Sequence, residues 1–139
     1  MEVEVTGPNR DLHSGSFGGA VANPINELAK IISKLQDKNG KVTVPNFYKD
    51  VMKLSNKERE NFKRLKHSDK NFAKELDVKE LQGEKGFSTL ERLWVRPTLD
   101  CNGIFGGFTE KGAKTVLPSK ATAKISMRLV PNQDPKKIA

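Results

Sequence analysis

The run SKATAKISMRLVP (119–131) places the tightest constraint on the fold. Ala121, Ala123, Ile125, Met127 and Leu129 alternate with Thr122, Lys124, Ser126 and Arg128, and a period of two describes a strand with one face covered and the other wet. Arg128 is therefore expected to point away from the apolar face. EVEVTG (2–7) is a second alternating run, stopped by Gly-Pro, and TLDCNGIFGGF (98–108) reads as a third strand. A helix to cover such a sheet is predicted over NPINELAKIISKLQDKNG (23–40). Asn23 suits an N-cap and Pro24 the first helical position, while Ile25, Leu28, Ala29, Ile32 and Leu35 share one face before Asn39-Gly40 ends it.

Between these elements lies a charged excursion. KVTVPNFYKDV (41–51) starts like a strand, but Pro45 makes it an irregular connector. Residues 55–82 look helical, opened by the capping-box pattern Ser55-Asn56-Lys57-Glu58 and anchored only by Phe62, Leu65, Phe72 and Leu76. A second such pattern, Ser88-Thr89-Leu90-Glu91, opens a short helix that Pro97 stops. GGFTEKGAKTVLP (106–118) reads as a hairpin-like loop, and Asp134-Pro135 announces a helix just before Ala139. This order predicts an α+β fold: a ferredoxin-like, split βαβ antiparallel sheet with helices on one face and a helical insertion over 48–97, truncated before its last helix and strand. At 139 residues the chain is expected to be a single domain, 1–139, and a fragment of a larger protein.

The formal net charge of +8 is uneven: residues 92–139 hold nine basic and three acidic side chains, against five of each over 1–48. Such a surface attracts nucleic acid, anionic lipid or an anionic substrate, and charge alone does not choose among them. A single cysteine, Cys101, excludes an internal disulfide and fits a reducing compartment; it is expected to be a small buried strand residue without chemistry. No apolar run is long enough to span a bilayer and no signal-peptide pattern opens the chain, so a cytoplasmic, soluble protein with no membrane partner is expected.

DLHSGSFGG (11–19) sets His13 between an acidic residue and a loop too glycine-rich for a helix. A nucleophilic triad of Asp11, His13 and Ser14 is disfavoured, because triad members meet from separated elements. His13, His67 and Cys101 lack metal-ligand spacing, so no metal site is expected within this chain. Gly107 to Thr115 comes close to a phosphate-binding pattern, but Val116-Leu117-Pro118 follows where a helix would have to start. Phe105 and Phe108 sit at a glycine-rich turn, without an RNA-binding signature. On residues alone, His13 reads as a loop histidine with a structural hydrogen bond.

DLHSGSFGGAVANP followed by RPTLDCNGIFGGFTEKGAKTVLPSKATAKISMRLVPNQDP resembles the lid, or dimerisation, domain of the co-catalytic zinc metallopeptidases. That superfamily includes carnosinases, cytosolic non-specific dipeptidases, aminoacylases and succinyl-diaminopimelate desuccinylases, and the dipeptidase and carnosinase branch is the most similar. The resemblance implies a homodimer formed through the lid, with two zinc or similar divalent ions and the general base held in a catalytic domain outside this chain, so that the chain alone is inactive. It implies that His13, in the HSG motif, gives a hydrogen bond to the carbonyl oxygen of a peptide or acyl-amino acid substrate in the partner subunit's site. It likewise implies that Arg128, in RLVP, holds the substrate carboxylate and that Thr115, in KTVLP, assists with its hydroxyl. No nucleic acid is expected on this reading. The alternative is a stand-alone basic α+β module that binds nucleic acid or a protein partner.

Overall fold

The computed structural model describes residues 1–139. In chain order the elements are β1 (Glu2–Thr6), β2 (Leu12–His13), α1 (Ser14–Phe17), α2 (Pro24–Ser33), α3 (Asn56–Arg64), α4 (Asp69–Glu75), α5 (Thr89–Trp94), β3 (Thr98–Gly106), β4 (Val116–Leu117), β5 (Lys120–Arg128) and α6 (Pro135–Ile138). The fold is mixed α+β with antiparallel sheets and six helices. The chain divides into two compact units, one made of residues 1–35 and 99–127, the other of 36–98 and 128–139.

In the first unit β5 lies between β1 and β3. β1 runs antiparallel to β5, with Val3 opposite Ala123 and Val5 opposite Ala121. Gly103 approaches Lys124 while Gly106 approaches Ala121, so β3 also runs antiparallel to β5. Ala121, Ala123 and Ile125 are buried, as the alternation requires, and α2 packs on β1 with Leu28 fully buried. Thr122 is buried too, so β5 is covered more completely than a strand with one wet face. Three strands with one between the two that a helix joins satisfy a split βαβ order; a complete ferredoxin-like unit is more than they establish. A two-stranded sheet pairs β2 with β4, Leu12 opposite Leu117 and His13 opposite Val116.

α2 begins where expected, with the Asn23 side chain accepting from Ile25 N–H and Pro24 at its first turn. It ends at Ser33, well before Asn39-Gly40. The cause is Asp37, whose carboxylate accepts the N–H groups of Asn39 (2.7 Å) and Lys41 (3.0 Å) and so folds a turn that competes with further helix.

The second unit centres on buried Val42 and Phe47. The Gln133 amide ties its two chain segments together, donating to Phe47 C=O at 2.7 Å and accepting from Val130 N–H at 3.0 Å. The excursion predicted as helical over 55–82 is two short helices. α3 stops at Arg64, and Ser68 starts α4 by accepting from Asn71 N–H. Both predicted capping boxes are present, Ser55 with Glu58 and Ser88 with Glu91. Asp134 caps α6.

Candidate functional site

The segment read as a glycine-rich loop contains one helical turn, and His13 is its N-cap. The His13 Nδ1 accepts the Gly15 N–H at 3.1 Å, satisfying one of the donors that every helix start leaves free. An accepting Nδ1 leaves the neutral ring its proton on Nε2. That nitrogen lies 3.0 Å from the Thr115 hydroxyl, across the pairing of β2 with β4, and Ser14 N–H donates to Thr115 C=O at 3.2 Å. His13 and Thr115 are thus brought together from 102 residues apart, and both are exposed.

Asp11 and Ser14 do not complete a triad. The Asp11 carboxylate accepts the Ser119 N–H at 2.8 Å, and Ser14 is the first residue of α1. Asp11 therefore helps to hold the chain just after β4 beside the chain just before β2, a role the sequence did not disclose. Lys114-Thr115 leads into β4 rather than a helix, which excludes the phosphate-loop geometry. No three or more His, Cys, Asp or Glu side chains gather into a group that could hold a metal ion. Cys101 corrects the sequence expectation: it is exposed on β3, where its thiol donates to Gly103 C=O at 3.4 Å.

Arg128 belongs to the second unit and is exposed. Its Nη2 donates to the carbonyls of Arg92 (2.6 Å) and Arg96 (3.2 Å), where α5 ends. Helix ends leave their last carbonyls free and partly negative, so a guanidinium there is favourably placed. Nothing in the strand pattern pointed to these carbonyls, which lie 36 and 32 residues away in sequence.

The model of the peptidase dimerisation domain matches residues 1–139. The Cys-Gly metallodipeptidase DUG1 of Candida albicans is 36% identical over 146 residues, covering 99% of this chain and 28% of the relative. The M20 family metallo-carboxypeptidase Sso-CP2 of Sulfolobus solfataricus superposes with a TM-score of 0.84 at 42% identity, over 99% of this chain and 36% of that one. Human carnosine dipeptidase 1 superposes with a TM-score of 0.86 at 33% identity, over 99% and 29%. The chain spans little more than a quarter of the relative's length and about a third of each solved chain. With the family model matched from end to end and the same fold held at these identities, the chain belongs to the peptidase dimerisation domain family of the M20 metallopeptidases.

Proposed function

We propose that residues 1–139 act as the lid and dimerisation domain of a metal-dependent, dipeptidase-like hydrolase, that the domain pairs with a second copy of itself, and that it lends His13, Thr115 and Arg128 to the partner subunit's active site. The observation that carries this reading is the exposed His13 imidazole, fixed in its Nε2–H tautomer by Gly15 and met by the Thr115 hydroxyl. When a peptide carbonyl is attacked, charge develops on its oxygen, and a donor already in place is worth a few kcal/mol there. His13 Nε2–H is such a donor. While that proton goes to the Thr115 hydroxyl, the hydroxyl turns its own proton outward, so a substrate oxygen meets Thr115 or, once Thr115 gives way, His13 Nε2–H itself. The Arg128 guanidinium suits the terminal carboxylate of a short peptide, because it carries a permanent positive charge and its Nε–H and Nη1–H donors are not the ones given to the Arg92 and Arg96 carbonyls.

In this reading the catalytic domain of the parent holds two zinc or similar divalent ions, which supply the activated water. The residues of this chain gather no group fit to hold those ions, so the isolated chain does not hydrolyse peptides. The relatives' names, which specify Cys-Gly and β-Ala-His dipeptides, support a dipeptide or a similar amide as substrate class. An exposed free thiol at Cys101 suits a reducing, cytoplasmic setting.

The test is His13→Ala in the full-length parent. Turnover is expected to fall by about 10²–10³-fold, the loss typical of one oxyanion donor, while bound metal measured by elemental analysis stays at the wild-type ratio. Unchanged turnover rejects the role given to His13.

A further inference from the structure

The two carbonyls that hold Arg128 belong to residues that are themselves clasped by a single glutamate. Arg92 Nε donates to the Glu84 backbone C=O at 2.9 Å. Arg96 makes a two-pronged bond to the Glu84 carboxylate, Nε to Oε2 and Nη2 to Oε1, each at 2.8 Å. The pair is largely shielded, with side chains 13% and 12% exposed. The Arg96 guanidinium also lies over the Phe87 and Tyr48 rings, 4.2 and 4.9 Å from their centroids. Charge-assisted, bidentate and sheltered from water, this contact is of the kind that fixes geometry most firmly. Glu84 thus anchors, through main chain and side chain, the turn whose carbonyls face Arg128. Both carbonyls are met by Nη2 of Arg128, so a carboxylate would reach the guanidinium through Nε–H or Nη1–H, one prong at a time.

We propose that Glu84 is a positioning residue for Arg128: by pinning the C-terminal turn of α5 it holds the guanidinium ready for a carboxylate, and so sets the preference for substrates with a free C-terminal carboxyl group. This rests on the reading that Arg128 meets that carboxylate. An arginine whose rotamers are already restricted by two carbonyls loses less freedom on binding than a loose one, and the saving applies only to a substrate that uses the guanidinium.

The experiment compares a dipeptide with its C-terminal amide in the full-length parent, measuring kcat/KM for both in the wild type, Arg128→Ala, Glu84→Gln and Ser88→Ala. Ser88→Ala loosens α5 from its other end and touches neither Glu84 nor Arg128. Arg128→Ala is expected to lower the acid-over-amide ratio by about tenfold or more, as for a lost hydrogen bond to a charged group. Glu84→Gln and Ser88→Ala are expected to lower the same ratio by roughly threefold to tenfold through KM, with kcat on the amide unchanged, in line with the cost of a lost cap or charge partner. If Arg128→Ala collapses the ratio and the other two variants reduce both substrates equally or not at all, Glu84 is merely structural and the proposal is overturned. If Arg128→Ala leaves the ratio intact, the carboxylate reading fails and the proposal falls with it.

Discussion

Gly15 shows how a single missing side chain sets the site. A Cβ built there would lie 2.8 Å from His13 Cε1 and 3.2 Å from Nδ1, so alanine at 15 cannot coexist with the imidazole in its present place. The backbone of Gly15 is not left-handed, and the constraint is therefore on space around the ring rather than on φ. Gly15→Ala should retain the fold, since α1 buries no residue, but should tilt the ring off Thr115. In the full-length parent kcat is expected to drop by about 10²-fold, the usual cost of displacing a catalytic group by an ångström. A wild-type kcat in that variant would show that the imidazole is not held where it acts. The sequence made His13 conspicuous and its alternation turned Arg128 outward, but the reason for glycine two residues beyond His13 becomes visible only with the ring in place.

At the level of elements, period and caps were legible while lengths were not. Alternation identified β1 and β5, and two capping-box patterns located the starts of α3 and α5. The ends of α2 and α3 escaped because Asp37 and Ser68 redirect backbone N–H groups locally, a competition that apolar periodicity does not report. β2 and β4 are two residues each, too short to carry a period. Caps also carry a pH signature. The Ser55 hydroxyl and backbone N–H donate to Glu58 and hold its carboxyl below the ordinary glutamate range; the Lys120 ammonium does the same for Glu4 across β1 and β5. A carboxylate whose folded pKa is depressed contributes stability that is present above its unfolded pKa and is lost as pH falls through the folded one. In acid, then, the first turn of α3 should fray. An NMR titration of Glu58 should show its midpoint rise toward the ordinary glutamate value in Ser55→Ala, with Glu4 unmoved. Identical Glu58 curves in the two proteins would remove the capping box as the cause.

Over the whole molecule, part of the basic surface is met by specific partners. Lys120 and Lys124 pair with Glu4 and Glu2 across β1 and β5, Arg96 is bound to Glu84, and Arg128 faces carbonyls. Strand pairing brings those lysines to glutamates more than a hundred residues away, which no composition profile registers.

The proposed loan of His13 to a neighbouring subunit carries its own prediction at this scale. A two-fold dimer places each patch against the same patch of its twin, so a residue lent across the interface leaves one subunit's site dependent on the other's lid. Two inactive forms of the full-length parent separate the cases: one carries His13→Ala with its metal ligands intact, the other keeps His13 but lacks a metal ligand of the catalytic domain. When they are mixed under conditions that exchange subunits, a lent histidine makes one of the two sites in each mixed dimer complete. In an equimolar mixture activity should then return to about a quarter of the wild-type level, the share expected from random pairing in a two-fold dimer. If His13 instead acts within its own subunit, every site in the mixture lacks either the histidine or the metal, and no activity returns at any mixing ratio.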